Sequence, residues 1–391
     1  MLLSLALIGS IGLIAGYACD RIKLPKLFGI IMTGMMLGPH FLNLTDPRIL
    51  AISDELREIA LIIILTRAGL NLNISDLIKV GRPALMMCFV PATFEICGMA
   101  ILAPTILGLS AAEGALLGAI TAAVSPAVVV PKMISLQENG WGTNKKIPQM
   151  IMTGASADDV YVIVLFASFA SIVKGGHADP TALTEIPVSI ISGIAAGAVL
   201  GFMLARAFKK IQIRDSEKII IMLSLSFALI AIEQALRGYF SGLLAVIGMS
   251  CVFHINKPDA AKRISDKYSK LWVAELMLFW LVGCSIDLTY ASEFGISAAM
   301  LVFGALLFRM TGVFLCVTGT NLNIKEKFFC MAAYIPKATV QAVLGGLPLS
   351  MGLACGNAAL TVAVVAILIT APLGAFSIDI LYKKCLKCEK P

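Results

Sequence analysis

Asp158 and Asp159 are adjacent carboxylates half-way along an apolar stretch of the chain. Successive residues of a helix point about 100° apart, so the two groups cannot hold one ligand together and should have different roles. Burial favours the protonated form of a carboxyl group, whereas a nearby cation favours the charged form. Such a carboxylate can exchange a proton for a metal ion near physiological pH.

Two other apolar stretches carry a proline at mid-length, Pro126 after Ser125 in one and Pro336 before Lys337 in the other. Proline lacks an N–H donor and clashes with the preceding turn, so each helix should kink or unwind there. Freed backbone groups are tolerated at membrane depth only where they line a cavity or find protein partners. Either proline alone would indicate a packing kink, whereas two equivalent breaks favour a binding site. The hydroxyl groups available to a hard monovalent cation belong to Thr121, Ser125 and Ser156.

The rest of the chain must position these residues, and its composition is that of an integral membrane protein. Of 391 residues, 59% are apolar and 14% are charged, and the mean hydropathy is +0.91. Soluble domains average about 45–50% apolar and about 25% charged residues. About 20 apolar residues make one membrane span, which leaves room for about 13 spans and excludes a separate soluble catalytic or nucleotide-binding domain. The predicted spans are 2–18, 27–43, 55–72, 83–107, 111–135, 147–173, 184–208, 217–235, 239–255, 270–288, 294–317, 327–348 and 355–382.

Basic residues alternate between the two sides of these spans. Connections after odd-numbered spans, together with the C-terminal tail, hold 24 of the 31 Lys and Arg residues, and those after even-numbered spans hold 4. The positive-inside rule then places the N-terminus outside and the C-terminus in the cytoplasm. The net charge of +7 is spread over short loops, which favours anionic lipid at the cytoplasmic face over nucleic acid as its partner.

Three pairs of spans resemble each other at a nearly constant shift, spans 3 and 10, 4 and 11, and 5 and 12. The second pair aligns Glu95 with Arg309 and Gly98 with Gly312. A shift of seven spans reverses the orientation in the membrane, and inverted repeats are typical of secondary transporters. We therefore expect an all-α polytopic membrane protein, a single transmembrane domain over residues 1–391 with two inverted six-helix repeats and crossed broken helices. The repeats cover about 1–174 and 217–382, the connector helix 184–208, and the core helices 83–173 and 294–382.

Three basic residues, Arg67, Arg309 and Lys337, remain inside spans, where charges are costly and mark a pathway or a pair. Repeat symmetry would bring Arg309 close to Glu95, and an arginine keeps its charge in any surroundings. The two form a candidate permanent ion pair, which would leave Asp158 without a lysine partner. Lys337 would offset the negative end of a half-helix.

The chain resembles the monovalent cation:proton antiporter superfamily, in particular its paired-aspartate branch, the NHA-type sodium/proton exchangers related to bacterial sodium/proton antiporters. The matching stretches are 67–72, 123–131, 158–159, 322–327, 336–342 and 370–375. The resemblance implies a homodimer in which each protomer has a dimerisation domain and a mobile six-helix ion-binding core. It implies that Asp159 is the main ion-binding carboxylate and that Asp158 is the neighbour which, in lysine-bearing members, pairs with a lysine at the position of Arg309.

The resemblance implies a secondary transporter and not an enzyme, exchanging Na⁺ or Li⁺ for H⁺ by alternating access without a cofactor. Arginine at position 309 departs from the lysine-bearing bacterial members, so we expect an electroneutral cycle. A K⁺/H⁺ antiporter is the alternative within this class. A cation channel would not require inverted repeats, and an intramembrane aspartyl protease needs two aspartates that face each other from separate helices. We expect residence in a cell membrane, specifically a bacterial inner membrane.

Overall fold

The computed structural model describes residues 1–22, 24–71, 81–175, 180–211, 213–236, 239–268, 272–286 and 288–388. These residues fold into 19 helices joined by short connections. The helices are α1 Leu2–Arg21, α2 Lys26–Leu37, α3 Pro47–Ala51, α4 Ser53–Asn71, α5 Arg82–Met87, α6 Val90–Leu107, α7 Ala111–Thr121, α8 Pro126–Glu138, α9 Ile147–Gly175, α10 Pro180–Lys210, α11 Asp215–Ala235, α12 Gly242–Asn256, α13 Pro258–Tyr268, α14 Trp272–Cys284, α15 Leu288–Val317, α16 Ile324–Ala333, α17 Thr339–Leu344, α18 Leu347–Ser350 and α19 Gly356–Cys385.

Each of the 13 predicted spans corresponds to one helix or to consecutive helical pieces. Within the described ranges, seven helical stretches are long and apolar enough to cross a membrane, and three shorter apolar helices accompany them. Leu72 and Asp287, which belong to the matching ends of spans 3 and 10, lie outside the described residues.

The helices differ from the predicted spans in three places. Span 2 ends early because α2 stops at Leu37 and Gly38 is extended. Span 4 is interrupted at Phe89, where Pro91 prevents one continuous helix across the junction. The helix α13 was not predicted, because its charged residues make it amphipathic and it has too few apolar residues for a span. Its apolar face buries Ala261, Ile264 and Tyr268.

The chain divides into two compact units, of which the first contains Met1–Asp54, Asp76–Val173 and Leu278–Pro391. Two of its helices, α7 and α16, start at matching capping boxes. Ser110 accepts a hydrogen bond from Glu113 N at 3.2 Å, and Asn323 accepts one from Glu326 N at 2.9 Å. The carboxylate of each glutamate in turn accepts a hydrogen bond from the backbone N–H of the N-cap residue. Both helices therefore begin at fixed residues. Both helices then end abruptly, ten or so residues later.

In the same unit, α6 packs against α15 in a reciprocal way. A Cβ at Gly98 would lie 2.7 Å from the Phe308 ring, and a Cβ at Gly312 would lie 3.2 Å from the Phe94 Cβ. Each helix thus contributes a glycine that receives the phenylalanine of the other. Glu95 projects from the same surface of α6, so this close contact sets where its carboxylate lies relative to α15.

The second unit contains Glu55–Ser75 and Lys174–Met277. Its helices α10 and α12 approach closely along three glycines spaced four residues apart, Gly193, Gly197 and Gly201. A Cβ at any of them would overlap a carbonyl group of α12 or of its N-cap residue, which is the close backbone approach that small residues permit between membrane helices. The basic residue Arg67 lies in this unit and donates to Glu275 at 2.8 Å.

Candidate functional site

Two broken helices meet in the first unit. The helix α7 ends at Thr121 and the chain resumes a helix only at Pro126, while α16 ends at Ala333 and α17 begins at Thr339. The amide N–H of Ser125 in one break donates to the Pro336 carbonyl in the other at 2.8 Å. The predicted prolines therefore lie where the helices unwind, and the two unwound stretches touch.

Arg309 of α15 lies at the centre of the site and is fully buried. Its guanidinium donates to Glu95 at 3.1 Å, to Asp158 at 2.9 Å and to the Tyr334 carbonyl at 2.9 Å. It also donates to the carbonyl of Ala122. A buried guanidinium needs several acceptors to offset its desolvation, and this one finds two carboxylates and two freed carbonyls. It holds both breaks and both carboxylates in one arrangement.

Lys337 is the second buried cation and lies in the unwound stretch after Pro336. Its ammonium donates to both carboxylate oxygens of Glu95, at 2.6 and 2.7 Å, and to the carbonyl of Thr121 at 2.5 Å. Thr121 is the last residue of α7, so the ammonium lies at the negative end of that half-helix. The backbone N–H of Lys337 donates to the Thr370 hydroxyl at 3.1 Å.

The two aspartates of α9 have different partners. Oδ2 of Asp158 accepts from Arg309 and, at 2.9 Å, from the Val124 N–H in the first break. Oδ1 of Asp158, Oδ1 of Asp159 and the Ser125 hydroxyl are buried and have no hydrogen-bond partner among the described residues. Asp158 is thereby neutralised by a fixed cation, whereas no described side chain pairs with the Asp159 carboxylate.

These unpaired groups are all oxygens, the ligands that hard cations prefer. A buried carboxylate without a cationic partner is costly, and either a proton or a metal cation would offset that cost. Within the described ranges, no three His, Cys, Asp or Glu side chains converge as a metal site.

The hydroxyl groups of Thr121 and Ser156 were also predicted at this site, and the structure describes them differently from that of Ser125. The Thr121 hydroxyl donates within its own helix, to the carbonyls of Leu117 at 3.1 Å and Gly118 at 3.3 Å, so in this structure the residue contributes its carbonyl group. Ser156 lies in α9, but its side chain is outside the described residues.

The charge network is larger than the isolated pair expected from the sequence. Glu95 and Arg309 do contact each other, but Arg309 also binds Asp158, and Glu95 also binds Lys337. Asp158 therefore has an arginine rather than a lysine as its described basic partner, a contact that the sequence interpretation did not predict. The cause is the fork of the guanidinium, which can reach two carboxylates at once.

Gln341 of α17 is a site residue that the sequence interpretation missed. It is 1% exposed, and its Nε2 donates to the carbonyls of Thr121 at 3.1 Å and Ala123 at 2.8 Å. Its sequence signals were its place within the matching stretch 336–342 and its position four residues after Lys337. Together with Arg309 and Lys337 it supplies donors to three successive carbonyls that α7 leaves unpaired where it ends.

Gly374 of α19 allows a close approach to the second break, since a Cβ on it would lie 2.8 Å from Pro336 N. The proline ring is rigid, so Gly374→Ala should displace the break, and overpacking of this kind costs about 1–3 kcal/mol. We expect a lower thermal unfolding midpoint. Gly295→Ala is the matched control, because no atom lies within 4 Å of that Cβ. Equal behaviour of the two variants would contradict this packing argument.

Comparisons with known proteins agree with the geometry. The family model "Sodium/hydrogen exchanger, transmembrane" matches residues 5–384. Sodium/hydrogen exchanger 9B2 of Mus musculus is 33% identical over 381 residues, which are 93% of this chain and 69% of that protein. Sodium/hydrogen exchanger 9B1 of Homo sapiens is 32% identical over 380 residues, 93% of this chain and 73% of that protein.

A solved structure shares the fold. The sodium proton antiporter MjNhaP1 from Methanocaldococcus jannaschii superimposes with a TM-score of 0.84 at 20% identity, covering 97% of each chain. The protein is thus an all-α, multi-pass membrane protein with the sodium/proton antiporter fold. With the family model matching nearly its whole length, the chain belongs to the sodium/hydrogen exchanger family.

Proposed function

We propose that this protein exchanges Na⁺ for H⁺ across a membrane, with Asp159 as the group that binds the two ions in turn. The observation that carries the proposal is the contrast between the aspartates, one held by Arg309 and the other without a partner among the described residues. A carboxylate held by a guanidinium is already neutralised. A buried, unpaired carboxylate must take up a cation or a proton, and cannot hold both.

The remaining oxygens of the cation site come from neighbouring groups. Ser125 and the free Oδ1 of Asp158 are among the buried oxygens that lack partners in the described part of the chain, as is Oε1 of Gln341. Ser156 is assigned from its place one turn before Asp159. Glu95, Arg309 and Lys337 keep the breaks at Pro126 and Pro336 in position between transport steps. Thr121 takes part through its carbonyl group, which already accepts from Lys337 and Gln341.

Alternating access is proposed to rest on two inverted repeats, about 1–174 and 217–382, with the helix over 184–208 as connector. The matching capping boxes of α7 and α16 and the reciprocal glycine and phenylalanine packing of α6 on α15 support this symmetry. In such folds a mobile core moves past a fixed domain. The core is assigned to the helices over 83–173 and 294–382.

The protein is proposed to act as a homodimer, as the family resemblance implies, with anionic lipid at its cytoplasmic face. The loop charges place the N-terminus outside and the C-terminus in the cytoplasm. Residence in a bacterial inner membrane stays a prediction from the sequence, and the vertebrate relatives do not favour it.

Sodium-driven proton movement in proteoliposomes tests the proposed function. Gradients of Na⁺, Li⁺ and K⁺ should be imposed in turn while a dye reports the internal pH. We expect Na⁺ and Li⁺ gradients to drive proton movement and K⁺ to be weaker. Preference for K⁺ would make the protein a K⁺/H⁺ antiporter, and cation flux without proton movement would make it a channel.

We expect the cycle to be electroneutral, with one proton exchanged for one cation. Arg309 keeps its charge and holds Asp158, and Lys337 is held by Glu95, so only Asp159 is expected to alternate. The measurement is sodium-driven proton movement with K⁺ and valinomycin setting the voltage. A rate or endpoint that shifts with the imposed potential would show that a second proton is carried, and Lys337 would be the first residue to examine because a buried lysine can lose its proton.

A further inference from the structure

Gln341 is a neutral residue of the site, and its described donor contacts go to backbone carbonyls alone, whereas Arg309 and Lys337 also bind carboxylates. Its amide group crosses from α17, just after the second break, to the unwound stretch of the first. The amide nitrogen donates to Thr121 O at 3.1 Å and to Ala123 O at 2.8 Å. One side chain therefore uses both of its N–H groups on two carbonyls of the same stretch.

The peptide group between Ala123 and Val124 links this glutamine to the ion site. Its carbonyl accepts from Gln341 at 2.8 Å, and its N–H donates to Oδ2 of Asp158 at 2.9 Å. A trans peptide is planar and its C=O and N–H point in opposite directions. Fixing the carbonyl end consequently fixes the direction in which the N–H meets the Asp158 carboxylate.

No other side chain among the described residues shares this task. Arg309 binds the Ala122 carbonyl and Lys337 binds the Thr121 carbonyl, but Gln341 is the described side chain that donates to Ala123. Ala123 is fully buried. Without Gln341 its carbonyl would lose its donor inside the protein, where an unpaired backbone group is unfavourable, and the peptide would be free to turn.

We infer that Gln341 is a positioning residue for cation binding. It sets the orientation of the Ala123–Val124 peptide, and through it the geometry of Asp158 and of the adjoining Ser125. The inference rests on the proposed function and concerns how tightly the site binds its cation. Because cation ligands must be placed accurately before the ion arrives, loss of the glutamine should weaken cation affinity more than it slows the transport step.

Gln341→Met and Gln341→Asn separate hydrogen bonding from the filling of space. Methionine keeps nearly the same length and volume but has no donor, whereas asparagine keeps the amide on a shorter side chain. If hydrogen-bond donation by the amide matters, the apparent KM for Na⁺ should rise at least tenfold in Gln341→Met and by a smaller factor in Gln341→Asn. The maximal rate of transport should change less than threefold in both variants. If the residue only fills space, Gln341→Met should resemble the parent and Gln341→Asn should be the worse variant.

The experiment uses the full chain in proteoliposomes, with Gln149→Met as the matched control. Gln149 is a half-buried glutamine near the start of α9, and its Oε1 has no partner among the described residues. We expect this control to keep the parent's KM. A KM for Gln341→Met within twofold of the parent overturns the inference, as does the reverse order of the two variants.

Two further outcomes are decisive. If Gln341→Met does not fold, Gln341→Asn carries the test, with an expected rise of at least threefold in KM; failure of both to fold would show a structural role and overturn the inference. If the parent itself drives no proton movement with Na⁺, Li⁺ or K⁺, the proposed function fails, and this inference fails with it. An active parent together with an unchanged Gln341→Met variant would overturn the inference alone.

Discussion

Asp159→Asn is expected to abolish sodium-driven proton movement while leaving a folded protein. The amide has nearly the same shape as the carboxylate, but it cannot release a proton and it binds cations weakly. Asp159 is 5% exposed, and its Oδ1 has no hydrogen-bond partner among the described residues, so removing its charge breaks no described ion pair. The measurement is the initial rate of proton movement in proteoliposomes, together with the elution volume and thermal midpoint of the purified protein.

Asp379→Asn is the matched control for that variant. Asp379 lies on α19 in the same unit and pairs with Lys132 at 2.6 Å, with a side chain that is 36% exposed. A surface pair of this kind contributes about 0–1 kcal/mol, and we expect transport to persist when it is broken. Near-normal proton movement in Asp159→Asn would remove Asp159 from the site.

Glu95→Gln is expected to have the largest effect on stability. Glu95 is fully buried and faces both Arg309 and Lys337, so loss of its charge leaves two buried cations with one fewer carboxylate. Removing one partner of a buried ion pair costs about 3–5 kcal/mol. The thermal midpoint of the purified protein should fall markedly, and the exposed Glu138→Gln, at the end of α8, should leave it unchanged. Equal stability of Glu95→Gln and the parent would contradict the network.

Reversal of both charges distinguishes the network from an isolated pair. An isolated pair would regain part of its stability when Glu95→Arg is combined with Arg309→Glu. In the structure the new arginine would lie beside Lys337, and the new glutamate beside Asp158. Like charges at these distances repel, so we expect the double variant to be no more stable than Glu95→Gln. Recovery of stability in the double variant would show that the contacts of Lys337 and Asp158 matter little.

The sequence allowed the spans to be predicted well because the membrane imposes a simple rule on apolar length. The breaks at Pro126 and Pro336 followed from the chemistry of proline. The interruption before Pro91 was missed, because prolines at mid-length of a span were taken to mark a break and Pro91 lies near the start of the predicted span 83–107. The helix α13 was missed because only apolar stretches were sought, and its stability comes from burying one face.

The arrangement of the site depended on contacts that a sequence does not encode locally. Glu95, Arg309 and Lys337 were recognisable because charges inside membrane spans are costly. The second carboxylate that Arg309 binds, Asp158, was not recognisable as its partner, because that contact depends on where α9 lies. Gln341 was missed for a related reason, since a neutral amide in an apolar run carries no charge to mark it.

A proton and a sodium ion are proposed to compete for Asp159, and proton release on sodium binding tests this competition most directly. Purified protein in weakly buffered detergent solution is mixed with NaCl near the pH at which transport is half-maximal, and a pH indicator records the protons released. We predict a saturable release of up to about one proton per chain, and none from Asp159→Asn. Undiminished proton release from Asp159→Asn, or saturable sodium binding to the parent without any proton release at that pH, would contradict the account.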